Sequence, residues 1–312
     1  MEQRLQACSH YCEHKKAKKY VPEHSAWVYL NKHIVMSMYY LLKTKSGCNL
    51  YNALKRLMFP VYKRYYSNNN LGIFLTTSCN LSCLNCQTSA RQAPANDFMS
   101  VGQMKGVVNE AINLKYYWNR IYLTGGEPTL HPHLFEILDI VKIYKDFNPG
   151  CVIILETNGV GNKAQAVLNK LPDWVLVYNS NKIEGKNTYG FSTYNVAPKD
   201  TLEYKFSDFS KGCKRLVSSY GLCASMYGYY PCSPCMNVDR VFAFDVGIKK
   251  LSLVNEKALR EQMRILCSCC GWFKERHIEK VLIDVISESW EKAFAEYRKQ
   301  KPKLSQLNSW PD

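Results

Sequence analysis

No stretch of this sequence is apolar over a length that spans a bilayer; the most apolar early segment, Ile34 to Leu42, is too short. The opening residues Met1 to Cys8 lack the apolar core of a secretory signal. Internal repeats and low-complexity tracts are absent, and acidic residues are scarce, with 26 Asp and Glu against 41 Lys and Arg for a net charge of +15. These absences point to a cytoplasmic protein without a transmembrane segment, in a reducing compartment where disulfides are rare. A chain of 312 residues buries a full core without cross-links, so its 14 cysteines call for metal or packing as their explanation.

The positive charge is local. Residues 1–70 hold twelve Lys and Arg against three Asp and Glu. His14 to Tyr20 and Lys63 to Tyr66 mix lysines and arginines with tyrosines, a composition that suits an anionic partner, either phosphate-rich or a membrane face, as well as a plain solvated surface.

Four segments follow from the pattern. Residues 1–70 read as a basic helical extension ending in the turn-forming run Ser67 to Asn70. Over 71–205, strands alternate with helices: strands at Leu71–Thr76, Arg120–Thr124, Cys151–Thr157 and Trp174–Tyr178, with helices at Val101–Leu114 (capped by Ser100), from Pro132 to about Tyr144, and near Lys163–Leu171. Repeated βα units predict an α/β fold with a parallel sheet, open or curled into a full or partial barrel, with function at the carboxyl ends of the strands. Residues 206–275 read as a compact cysteine-bearing module containing a hairpin over Gly221–Cys232. Residues 276–312 read as a terminal helix and tail, with Trp290, Phe294 and Tyr297 on one helix face.

Cys79, Cys83 and Cys86 lie within eight residues in the loop that leaves the first strand. Three thiolates are an incomplete set for an iron-sulfur cluster and leave one iron open to an external ligand, whereas zinc ordinarily wants a fourth Cys or His nearby. From the residues alone, iron-sulfur, zinc and chance clustering all stay open.

The CxxxCxxC loop after a strand resembles the signature of the radical S-adenosylmethionine (radical SAM) superfamily, and later segments match it in order. Leu123 to Pro132 is similar to the family's GGEP element, and Glu156 to Gly159 to the element ending the third strand. The resemblance covers roughly residues 71–180. It implies a partial (β/α)6 TIM-like barrel, a four-iron four-sulfur cluster on Cys79, Cys83 and Cys86, and S-adenosylmethionine chelating the open iron. It further implies cleavage of S-adenosylmethionine to a 5′-deoxyadenosyl radical that abstracts hydrogen from the substrate. Gly125 and Gly126 are expected to let main-chain groups approach the methionyl end, Glu127 to accept its ammonium, and Pro128 to stiffen the turn. Thr157, Asn158 and Gly159 are assigned to the same pocket. Where many family members carry an aromatic before the third cysteine, this chain has Asn85.

A second set of thiols comprises Cys213, Cys223, Cys232, Cys235, Cys267, Cys269 and Cys270. The spacing of Cys232-x2-Cys235 and Cys267-x2-Cys270 is that of a structural zinc ribbon. The order Cys213, Cys232, Cys267, Cys270 resembles the auxiliary-cluster extensions, called twitch and SPASM, that follow many radical SAM barrels, and implies a second four-iron four-sulfur cluster. Cys223 or Cys235 are alternative ligands.

The resemblance implies a reducing partner such as flavodoxin or ferredoxin, and a small-molecule or peptide substrate that undergoes two-electron oxidation or natural-product modification. Tyr194 and Asn195 are expected substrate contacts. The alternative is a zinc-containing nucleic-acid-binding protein without catalysis.

Overall fold

The structure is a computed structural model that describes residues 69–180, 182, 194–204, 206–213, 216, 220–273, 285–300 and 302–307. The basic extension therefore lies outside the described residues, apart from Asn69 and Asn70.

The alternating pattern becomes β1 (Asn70–Phe74), α1 (Val101–Asn113), β2 (Arg120–Thr124), α2 (Leu134–Phe147), β3 (Val152–Thr157), α3 (Asn162–Leu168) and β4 (Val175–Asn179). The first four strands are mutually parallel, in the order β4-β3-β2-β1. Helix α1 begins where expected because Ser100 and Gln103 cap each other. Ser100 Oγ accepts from the Gln103 amide at 3.0 Å, and Gln103 Oε1 accepts from the Ser100 amide at 2.9 Å.

Strand alternation divides the sheet into two faces. Ile73, Leu123, Leu155 and Val177 lie in register across four strands and pack under α1 and α2 in the main core. The intervening row, Gly72, Tyr122, Ile154 and Leu176, faces away from those helices, and Leu176 is half exposed.

Two further strands, β5 (Leu222–Ser225) and β6 (Gly228–Tyr230), form the expected hairpin. They do not stand apart in a module. β5 pairs in parallel with β1, so among the described residues the sheet runs β4-β3-β2-β1-β5-β6. The parallel-dominated α/β sheet agrees with a (β/α) barrel fragment. The pairing of β5 with β1 departs from a strictly sequential strand order.

After the hairpin come α4 (Ser233–Phe242) and α5 (Glu256–Leu266), two helices that the cysteine-rich composition does not announce, and then the expected terminal helix α6 (Glu288–Lys299). Along α4 every residue from Pro234 to Val241 is buried, the polar Asn237, Asp239 and Arg240 included. Trp290, Phe294 and Tyr297 of α6 do share the buried face, and they pack with α4 in a second core that also encloses Cys232, Cys235, Cys267, Cys269 and Cys270.

Candidate active site

The loop carrying Cys79, Cys83 and Cys86 is an excursion from the carboxyl end of β1 whose two ends are zipped together. Thr77 N donates to Asp97 O at 3.0 Å, Asp97 N donates to Thr77 Oγ1 at 2.8 Å, and Met99 N donates to Leu75 O at 2.8 Å. The cysteines between these ties are partly exposed. Asn85, buried just before Cys86, adopts φ 50°, which asparagine tolerates far better than an aromatic residue. Its Oδ1 accepts from Val285 N at 3.1 Å, fastening the loop to the chain that enters α6.

The glycines of Leu123 to Pro132 lie against the cysteine loop. Gly126 N donates to Thr76 O and Glu127 N to Ser78 O, both at 2.7 Å, so the end of β2 lies flush against the residues leading into Cys79. A Cβ on Gly125 would meet Thr76 O at 2.6 Å, and one on Gly126 would come closer still to Ser78 O. Here the missing side chains admit the cysteine loop's own backbone.

Glu127 is fully buried and its carboxylate is occupied. Oε1 accepts from Thr129 N (3.1 Å), Thr129 Oγ1 (2.7 Å) and Thr157 Oγ1 (2.8 Å), and Oε2 accepts from Asn158 N (2.7 Å). The group expected to receive an ammonium also forms a clasp between the ends of β2 and β3. Pro128 starts the single 3-10 turn that Glu127 caps. Asn158 carries the clasp onward. Its Nδ2 donates to Asn80 Oδ1 at 2.8 Å and lies 3.9 Å from Cys79 Sγ, and Asn80 Nδ2 donates to Val160 O at 2.7 Å. Gly159 follows, its amide donating to Thr157 Oγ1 at 3.0 Å. The structure thus brings Cys79, Cys83, Cys86, Gly125 to Pro128 and Thr157 to Gly159 to one end of the sheet.

Cys79 and Cys83 each lie close enough to Cys86 to feel its charge. Burial pushes Cys79 up to about 11, with Cys86 and Glu127 adding to the rise and the Leu81 amide and Lys182 opposing it. Burial also raises Cys83, against the nearby Lys182 ammonium. Lys182, beside both thiols, partly offsets the rise and favours the thiolate form.

The second set converges too. Cys235 is hydrogen-bonded to Cys232, at 3.4 Å between sulfurs, and to Cys267. These thiol partners and burial hold it well above the ordinary thiol range. Burial and the charges of Cys213, Cys267 and Cys232 do the same to Cys270. Cys235 therefore belongs with the expected four. Cys223 senses Cys232, but its thiol lies over Gly72 on the sheet and donates to Gly221 O at 3.7 Å. Cys269 stands apart, near Lys199 and Ser268. Among the described residues no three Cys, His, Asp or Glu side chains are drawn together at the spacing of a single bound ion.

Tyr194 and Asn195 are not at an open substrate surface. Tyr194 is fully buried against the second thiol set, donating to Pro234 O at 2.9 Å, and Asn195 is also buried. The open sheet face instead carries a pair that the sequence reading did not single out. Tyr220 lies over Gly72, stacks on Tyr122 with ring centroids 4.7 Å apart, and donates to Glu156 Oε2 at 2.5 Å. Burial raises the Glu156 carboxyl above the ordinary range, with Tyr220 and Thr124 opposing the rise. The glycine inside β1 was the available signal.

Residues 73–177 match the family model described as the Radical SAM superfamily. They form a radical SAM domain. Curated relatives align over this same kind of short span. The 7-carboxy-7-deazaguanine synthase of Neisseria meningitidis is 40% identical over 26% of this chain and 32% of its own length. A probable GTP 3′,8-cyclase of Methanococcus aeolicus is 35% identical over 29% of each chain. The mycofactocin maturase MftC of Mycobacterium tuberculosis is 31% identical over 21% of this chain and 16% of its own. The chain therefore spans about a third or less of the length of these relatives. The radical SAM domain implies an iron-sulfur cluster and S-adenosylmethionine, and no described helix is long and apolar enough to cross a membrane.

Proposed function

We propose that this chain is a radical SAM enzyme in which Cys79, Cys83 and Cys86 hold a four-iron four-sulfur cluster. Gly125, Gly126, Pro128, Thr157, Asn158 and Gly159 form the shelf against which S-adenosylmethionine lies. One observation carries the reading: the three-thiol loop leaves the carboxyl end of β1 and is fastened by Gly126, Glu127 and Asn158 to the ends of β2 and β3. When bound, the cluster supplies the electron that splits S-adenosylmethionine into methionine and a 5′-deoxyadenosyl radical, which abstracts hydrogen from the substrate. The protein's own part is to keep the thiols poised and the cosubstrate oriented. An external donor such as flavodoxin or ferredoxin brings the electron.

The open face of the sheet favours a substrate with both a flat or apolar portion and a hydrogen-bond donor, because Tyr122 and Tyr220 offer rings and Glu156 an acceptor. The synthase, cyclase and maturase among the relatives differ in what they act on and select no single substrate. A second four-iron cluster on Cys213, Cys232, Cys267 and Cys270, with Cys235 in contact, is part of the same proposal and suits a net two-electron oxidation or a peptide modification.

Anaerobic protein reconstituted with iron and sulfide is expected to be brown, with about seven to eight irons per chain. With dithionite and S-adenosylmethionine it should release 5′-deoxyadenosine, and Cys83→Ala should not. Colourless protein containing zinc and binding nucleic acid would replace this reading with a non-catalytic one.

A further inference from the structure

Arg240 stands on α4 with its side chain buried, 2% exposed. One guanidinium nitrogen donates to Tyr297 Oη of α6. The other donates to the carbonyl oxygen of Thr88 and, at 3.2 Å, to Asn237 Oδ1, and the Tyr297 ring lies 5.2 Å away. Its Nε is buried without a hydrogen-bond partner. Among the described residues no carboxylate forms an ion pair with it. Asp239, the adjacent acid, is engaged by Tyr230 Oη at 2.6 Å and Val246 N at 3.1 Å. The buried Asp97 shares Tyr227 and Tyr297 as neighbours with Arg240, but its carboxylate accepts from Tyr227 Oη at 2.6 Å and does not touch the guanidinium. A buried cation without a contacting counter-charge is a costly arrangement.

The neighbourhood indicates where that counter-charge belongs. Thr88, which the guanidinium grips by its carbonyl, has its hydroxyl 3.0 Å from Cys86 Sγ. The next residues along the same loop, Ser89 and Gln92, also bury side-chain oxygens without partners. Buried polar atoms without partners thus recur along the loop that follows the third thiol and on the guanidinium that grips it. A four-iron cluster on three thiolates is anionic, and reduction adds one more negative charge.

We propose that Arg240 is the buried counter-charge of the cluster on Cys79, Cys83 and Cys86, and the residue that positions Cys86 through Thr88. The inference rests on the cluster assignment under Proposed function. A nearby cation favours the more negative, reduced state, so Arg240 raises the cluster's reduction potential. It acts through the electrostatic field and the loop and does not touch substrate.

Reductive titration followed by electron paramagnetic resonance tests this on reconstituted full-length protein whose second thiol set has been removed by Cys232→Ala and Cys267→Ala. Arg240→Gln should take up iron but show a lower midpoint potential than its parent, and Arg240→Lys should stay near the parent because the charge is kept. Loading iron should also raise the melting temperature less in Arg240→Gln than in its parent. Equal potentials in the Gln variant and its parent overturn the proposal. If Arg240→Gln does not fold or take up iron, Arg240→Lys decides: a potential at the parent's value supports the counter-charge, and a displaced one overturns it. Should the parent itself take up no iron at Cys79, Cys83 and Cys86, the cluster assignment fails instead, which is a separate outcome.

Discussion

Tyr220 reaches across two strands to Glu156, donating its phenolic hydrogen to Oε2 at 2.5 Å while its ring lies on Tyr122. The crossing is possible because Gly72, on the intervening strand, has no side chain; a Cβ there would stand 3.0 Å from both Tyr220 Cβ and Cys223 Sγ.

Burial raises the Glu156 carboxyl in the folded protein, so the folded state prefers it protonated. The stability it contributes is complete below the unfolded value near 4.5 and is lost as pH rises through the higher folded value. Glu156→Gln imitates the protonated form. Its melting temperature should match the wild type's at pH 4 and exceed it increasingly towards pH 7 in anaerobic thermal scans.

Glu127→Ala should damage the site from beneath. It strands the buried amides of Thr129 and Asn158 and two threonine hydroxyls. At roughly 1–3 kcal/mol for each unsatisfied group, the loss should exceed 3 kcal/mol in denaturant titration and reduce iron uptake. A variant as stable as wild type would show that the clasp is dispensable.

Gly126→Ala forces a methyl group onto Ser78 O. Overpacking of this kind costs about 1–3 kcal/mol, and the strain falls on the residues leading into Cys79. The expected phenotype is a normal far-ultraviolet circular dichroism spectrum with less iron bound by the three-thiol loop.

The cysteines should sort by iron content. Cys267→Ala and Cys270→Ala are expected to lose about four irons per chain, the content of one cluster. Cys223→Ala should keep the full complement while losing about 1 kcal/mol of stability, since its thiol packs on the sheet. Iron loss in Cys223→Ala would move it into the ligand set.

Most of the sheet was legible because each βα unit is a local pattern. Arg120–Thr124 is β2 to the residue, and Ser100 starts α1 through a capping contact three residues long. The neighbour of β1 on its other side was not legible, because the pairing with β5 joins residues about 150 apart and leaves no periodic trace. At the site, residue types located the cysteine loop and the GGEP element, but not their use. A glutamate shows an acceptor, and only the fold shows which four donors reach it. Arg240 gave no sign in a helix buried on all sides.

The adjacency of β1 and β5 also sets a distance. One thiol group hangs from the end of β1, and Cys232 of the other lies two residues beyond β6, two strands away in the same sheet. Neighbouring strands sit about 4.8 Å apart whatever the length of chain that joins them. Insertions or deletions in the connection between β4 and β5 would therefore leave the spacing between the three-thiol loop and Cys232 unchanged, while one bulge in the hairpin would alter it.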